Sequence, residues 1–241
     1  MKIYNAGNRV MNTYLYRMKE GYVMIDTGYK NSYQKCTISM KQQGISWDDV
    51  KYILLTHAHD DHAGFLKEVL DKHPNITCII SDKAFSVLAK GQNSFKGGCS
   101  SKLALFFCYI MKVFGNGEHL FPSINETYTN RLLEITKDNI SEIERMLSGK
   151  ILFTPGHTKD SISLRVQNII FCGDAAMNGM PSLHRITIWI ENKKEFENSW
   201  QVLLNESVEY IYPAHGKRFR SSDLYKFKAK INKIKLYTLK R

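Results

Sequence analysis

The stretch Lys51-Tyr-Ile-Leu-Leu-Thr-His-Ala-His-Asp-Asp-His-Ala-Gly64 runs from an apolar, β-prone segment into a cluster of ionisable side chains. Lys51 to Leu55 reads as a buried strand that delivers Thr56 and His57 at its carboxyl end. His57, His59, Asp61 and His62 follow at a spacing that no packing role requires. Imidazoles combined with carboxylates form the donor set of a metal centre: they suit zinc, and iron or manganese accept the same mixture. The competing reading is a polar strand-to-helix loop that happens to be rich in histidine.

Outward from this stretch, Ala63 to Lys72 reads as a helix that stops before Pro74, and Ile76 to Ile80 as a further strand. Upstream, Lys2 to Asn5, Val10 to Arg17 and Gly21 to Ile25 suggest a small antiparallel meander closed by Asp26-Thr27-Gly28, followed by a helix over Ser32 to Gln43 that ends at Gly44. Strand, loop, helix, strand is the grammar of an α/β fold, in which ligand sites gather at the carboxyl ends of strands. The second half repeats the scheme. A strand at Ile151 to Phe153 leads to His157. A hairpin of Ser161 to Val166 and Ile169 to Phe171 leads to Asp174. A helix at Lys194 to Leu204 precedes a strand at Tyr210 to Tyr212 that leads to His215. Each strand end thus offers one more metal-capable side chain, and a multi-ligand centre requires such convergence.

With 241 residues, 43% of them apolar and 24% charged, the chain has the composition of a globular protein and not of a disordered or repetitive one. A single domain over 1–241 is expected. The amino-terminal MKIYNAGNRV carries no apolar leader, and no run reaches the roughly 18 apolar residues of a membrane span, so the expectation is a soluble cytoplasmic protein without a membrane partner. The five cysteines, at 36, 78, 99, 108 and 172, form no CxxC pair and read as buried thiols of a reducing compartment. The net charge of +11 sits mainly in the tail, where ten Lys or Arg between 217 and 241 face one acid, Asp223. Leu224, Phe227, Ile231 and Ile234 recur there at helical spacing, so 217–241 reads as a basic amphipathic helix docked by one stripe, in preference to a nucleic-acid patch.

Residues 91–129 fit neither half. They hold Gly97-Gly98, an apolar helix over Leu103 to Phe114, and Gly115-Asn116-Gly117, and read as a helical insertion that folds over the site as a lid. His73, next to Pro74, reads as a C-terminal helix cap, and His119 and His184 as surface residues. Asp60 is a candidate to hydrogen-bond a ligand histidine.

The blocks THAHDDHAG (56–64), TPGHT (154–158), FCGDA (171–175) and YPAHG (212–216) stand in the order seen in the metallo-β-lactamase-fold hydrolases, and the chain resembles that superfamily over nearly its whole length. The resemblance implies an αββα sandwich with the metal site at one edge. It implies that His57, His59 and His157 hold one metal, that Asp61, His62 and His215 hold a second, and that Asp174 bridges them. Two zinc ions are expected. The implied chemistry is hydrolysis by a metal-bridging hydroxide, with Asp61 orienting that nucleophile and relaying its proton.

Departures narrow the subfamily. An antibiotic-destroying β-lactamase of this fold normally lacks the bridging Asp and carries an export signal. A glyoxalase II carries a long helical C-terminal domain and usually a second Gly where Phe65 stands. Diiron flavoprotein relatives place Glu at the position of His59. Lactonase-like members fit best, so the leading expectation is a dinuclear hydrolase of a small ester, lactone or thioester. The alternative is a phosphodiesterase or nuclease of the same fold, which the basic tail favours and the lack of a large extra domain disfavours. A non-hydrolytic binder or one-iron oxygenase is the third class.

Overall fold

The computed structural model describes residues 1–114 and 117–240. In chain order it contains β1 (Ile3–Asn5), β2 (Tyr14–Arg17), β3 (Tyr22–Ile25), α1 (Tyr33–Gln42), β4 (Val50–Leu54), α2 (Leu66–Lys72), β5 (Thr77–Ser81), α3 (Phe85–Lys90), β6 (Gly98–Cys99) and α4 (Lys102–Val113). There follow β7 (Leu132–Ile135), α5 (Ile140–Leu147), β8 (Lys150–Phe153), β9 (Ile162–Val166), β10 (Ile169–Gly173), β11 (Trp189–Ile190), α6 (Lys193–Asn205), β12 (Tyr210–Pro213), β13 (Phe219–Arg220) and α7 (Ser222–Ile231). The fold is mixed α/β, as expected. Its contacts divide into two compact units, Met1–Asn93 with Leu120–Gly149, and Ser94–His119 with Lys150–Arg241.

The first unit is built on a six-stranded sheet in the order β1-β2-β3-β4-β5-β7. The meander β1-β2-β3 is antiparallel, whereas β3-β4, β4-β5 and β5-β7 pair in parallel. The inner strands are correspondingly apolar, and every residue of β3 is buried. One face packs against helices: Cys36 and Met40 of α1 and Leu66, Val69 and Leu70 of α2 join Leu15, Met24, Ile53, Cys78 and Ile80 of the sheet in one core. Arg131 completes this unit. Its guanidinium donates to the carbonyls of Leu70, His73 and Ile76, fastening the end of α2 to the start of β5.

The second unit holds a five-stranded sheet in the order β13-β12-β10-β9-β8 and a separate two-stranded ladder, β11-β6. Only β10 and β12 pair in parallel there. Phe196, Trp200 and Leu203 of α6 and Leu224 and Ile231 of α7 pack on Leu152, Ile170, Cys172 and Ile211. Trp200 places its indole N–H on the Ala175 carbonyl at 2.8 Å, so its one polar group is satisfied where it is fully buried.

Several elements differ from expectation for local reasons. β2 begins at Tyr14 and not near Val10, because the Asn8 side chain accepts from the backbone N–H groups of Val10 and Met11 and holds a turn there. α2 begins at Leu66 and not at Ala63, because the chain first makes tight turns in which the His59 carbonyl accepts from both His62 and Ala63. The tail helix is confined to Ser222–Ile231. It does bury Leu224 and Ile231, and Ile234 is buried just beyond it. Its last position, Arg241, and Gly115-Asn116 of the expected insertion lie outside the described residues. Burial pushes the Cys36 thiol up to about 12, in keeping with a core residue.

His73 is the C-cap of α2, as expected, its backbone N–H donating to the Val69 carbonyl at 2.9 Å, and its side chain is engaged as well. Its ring stacks on Trp47 with centroids 4.9 Å apart, and its Nε2 lies 2.8 Å from the Tyr33 hydroxyl. Burial lowers its pKa from the ordinary 6.5. A histidine depressed in the folded state binds fewer protons than the unfolded chain, so its contribution is complete above about pH 6.5 and is lost as pH falls through the window below it. Urea unfolding between pH 7.5 and 5.5 is therefore expected to show a smaller acid-side loss of stability for His73→Phe than for the parent protein. Arg131→Ala is expected to lower the unfolding free energy by about 2 kcal/mol by stranding buried carbonyls, and Arg131→Lys to recover only part of it.

Candidate metal centre

In the first unit, β4 hands the chain to Thr56, and the turns after it fold His57, His59 and His62 back on one another. The His57 and His62 rings lie 3.8 Å apart and the His57 and His59 rings 4.6 Å apart, all three buried. Gly64 makes this turn possible, since a Cβ there would stand 2.3 Å from the Asp60 carbonyl oxygen and 2.4 Å from that of Gly28.

The corner after β3 orients the cluster. Asp26, with φ 58°, turns its buried carboxylate onto the β4 exit. That carboxylate accepts from the Thr56 backbone N–H at 2.7 Å, from the Thr56 hydroxyl at 2.8 Å, and from His62 Nδ1 at 2.9 Å. The Thr56 oxygen, its one proton given to Asp26, accepts from His57 Nδ1 at 3.1 Å. The network assigns both Nδ1 atoms as donors, which makes Nε2 the candidate ligating nitrogen of His57 and of His62. Thr27 holds the same histidine from behind, its backbone N–H and hydroxyl both donating to the His62 carbonyl. Asp61 places Oδ1 3.8 Å from His62 Nε2.

Asp60 anchors the loop that carries the histidines. Its carboxylate accepts from the Asn93 amide at 2.7 Å while its own N–H donates to Asn93 Oδ1 at 2.8 Å, a reciprocal clamp that pins the loop. The functional residues missed by sequence reading are Asp26 and Thr27. The available signal was their position: an Asp-Thr-Gly at the carboxyl end of a strand that neighbours β4.

In the second unit, three strand ends meet. His157 follows β8 through Gly156, whose φ of +128° and crowding against the Phe196 backbone, 2.2 Å from an added Cβ, admit only glycine. His157 Nδ1 donates to the Trp189 carbonyl of β11 at 2.7 Å, again directing Nε2 to ligation. Asp174, at the end of β10, stands between two imidazoles. Its Oδ2 is 3.6 Å from His157 Nε2, and its Oδ1 is 3.6 Å from Nε2 of His215, at the end of β12.

These separations are too long for hydrogen bonds. They fit donors that share an ion: with bonds of about 2.0–2.2 Å and tetrahedral angles, two ligands of one zinc stand about 3.4 Å apart. The His and Asp groups of both units are thus of a kind and spacing that can bind metal ions. His119 and His184 are engaged elsewhere, His119 beside Phe95 and His184 against Phe227.

Comparison with known proteins points to one family. The sequence profile of the Metallo-beta-lactamase superfamily matches residues 6–215. The chain is 29% identical over 161 residues to the metallo-beta-lactamase fold-containing protein ST1585 of Sulfurisphaera tokodaii, covering 64% of this chain and 52% of that protein. A crystal structure of ST1585 superposes with a TM-score of 0.62 over 95% of this chain and 84% of that one, at 18% identity, a likeness of fold. The probable metallo-hydrolase MJ0888 of Methanocaldococcus jannaschii is 26% identical over 210 residues, 85% of this chain and 87% of that protein. The hydroxyacylglutathione hydrolase of Buchnera aphidicola subsp. Schizaphis graminum is 26% identical over 156 residues, 60% of this chain and 44% of that protein. The aligned chain thus spans about half the length of ST1585 and of the Buchnera protein.

The two neighbouring aspartates of the first unit separate by experiment. Asp26→Asn removes the acceptor that fixes the His62 tautomer and is expected to weaken metal binding about 10–100-fold, read by zinc competition with a chromophoric chelator. Asp60→Asn keeps the oxygen that accepts from Asn93 and is expected to leave affinity within about two-fold.

Proposed function

The chain belongs to the metallo-beta-lactamase superfamily, and from that premise we propose that it is a metal-dependent hydrolase that uses a dinuclear centre to cleave a small ester, lactone or thioester. The observation that carries this reading is the placement of Asp174 with one carboxylate oxygen toward each of two imidazole nitrogens. A carboxylate so flanked is suited to bridging two cations. His57, His59 and His157 are assigned to one ion, Asp61, His62 and His215 to the other, and Asp174 to both. Zinc is the expected metal, since neutral imidazoles and carboxylates suit it, and iron or manganese are compatible.

When bound, such a pair of ions lowers the pKa of water to near neutrality and polarises a carbonyl oxygen. The remaining work falls to the chain itself. Asp26, Thr56 and the Trp189 carbonyl each hold an Nδ1 proton, so His62, His57 and His157 present their other nitrogen without rearrangement. Asp61 sits in the turn between His59 and His62 with Oδ1 turned toward His62 Nε2, a position from which it orients the attacking water and accepts its proton. An acyl substrate is further supported by the relative named for hydrolysis of hydroxyacylglutathione.

Metal content by mass spectrometry is expected to give two ions per parent chain and one or none for Asp174→Ala. Turnover of a panel of esters, lactones and thioesters is expected to vanish on chelation and return with zinc or manganese. Activity untouched by metal stripping overturns the reading. Hydrolysis confined to phosphodiesters replaces the acyl substrate with the nucleic-acid alternative.

A further inference from the structure

α4 presents apolar side chains to solvent along its length. Leu103, Phe106, Ile110 and Val113 recur at offsets of three and four, and Phe106 and Val113 are 63% and 83% exposed. Tyr109 and Phe114 extend the patch, the latter 77% exposed. On the inner side only Ala104 is fully buried, and Cys108 is half-buried beside Cys99, their sulphurs 3.5 Å apart. A helix apolar on its outer face leaves a large patch uncovered, and patches of this kind mark a surface for something else.

The charges around it decide what that is. Residues 94–119 carry Lys96, Lys102 and Lys112 against one acid, Glu118. The tail comes to the same place. Tyr237 pairs with Cys99 at the root of α4, Lys240 N–H donates to the Tyr109 hydroxyl, and Lys112 Nζ donates to the Lys240 carbonyl. Lys233, Lys235 and Lys240 are exposed in that segment, which holds no acid after Asp223. The apolar stripe is therefore edged with lysines. A second copy of the chain would bring the same positive edge against it, and like charges across an interface oppose association. An anionic lipid surface takes both features, apolar side chains into the acyl boundary and lysines onto the headgroups. With 12 residues, α4 can lie in such an interface and not cross it, and no described helix is long and apolar enough to cross a membrane.

We propose that α4, with the lysines of 233–240 beside it, is a docking surface for anionic phospholipid bilayers. Docking of this kind needs no membrane-spanning segment.

The test is co-sedimentation of the full-length protein with vesicles of phosphatidylcholine alone or mixed with phosphatidylglycerol. Binding is expected to the mixed vesicles, to weaken about fivefold for each of Lys102→Gln and Lys112→Gln, and to weaken further when ionic strength rises from about 0.1 M to about 1 M. Phe106→Ser with Val113→Ser is expected to lower it about tenfold or more. Ile38→Ser, at an exposed apolar site on α1, is the control and is expected to change nothing. Equal binding to both vesicle types, or binding unmoved by the double substitution, overturns the proposal. So does a concentration-dependent dimer that Phe106→Ser with Val113→Ser dissolves, with no sedimentation on vesicles: it assigns the face to a second copy. These readouts involve no metal or turnover, so they stand or fall apart from the hydrolase assignment.

Discussion

An imidazole presents one defined nitrogen for ligation when a hydrogen bond holds the proton on the other. That constraint organises the buried polar groups of both units. His62 is held by the Asp26 carboxylate, His57 by the Thr56 hydroxyl, and His157 by the Trp189 carbonyl. Each holder comes from a different device: a left-handed corner after β3, the last residue before the histidine loop, and a two-residue ladder strand. The candidate donors are therefore oriented by the fold itself, so that ordering them is a cost met in folding.

Such an arrangement is costly to bury. Asp26, His57 and His62 all lie at 2% exposure or less, where an unpaired charge would be unsustainable. The pairing of Asp26 with three donors offsets that penalty, and the helix-backed cores around Met24 and Ile53 in one unit and Ile170 and Trp200 in the other supply the apolar burial that keeps the strand ends fixed. The glycines at 64 and 156 serve the same end. Each permits a backbone approach that no side chain allows, and each lies within two residues of a ligand candidate.

Much of the fold was readable in local pattern. The buried strand before His57, the hairpin of β9 and β10, and the helices near 33–42 and 193–205 follow from hydrophobic runs and turn residues that act over a few positions. The amphipathic run of α5, with Ile140, Ile143 and Leu147 on one side, carries a local helical signal of the same kind. The pairing of β6 with β11 carried none, because two residues opposite two others about 90 positions away leave no periodic trace. The exposed outer face of α4 was also hidden, since an apolar helix looks the same in sequence whether it is covered or not.

What the sequence determined by itself was chemistry: which side chains can bind metal, and that each stands just past an apolar strand. Donor type is a property of the residue, and a strand end is a property of a few neighbours. Tertiary structure alone decided orientation. That Asp174 aims one oxygen at His157 and the other at His215, that Asp26 grips His62, and that Asp60 clasps Asn93 all depend on contacts between residues 33 to 41 or 17 positions apart. Such contacts arise from the packing of whole strands, and no window along the chain contains them.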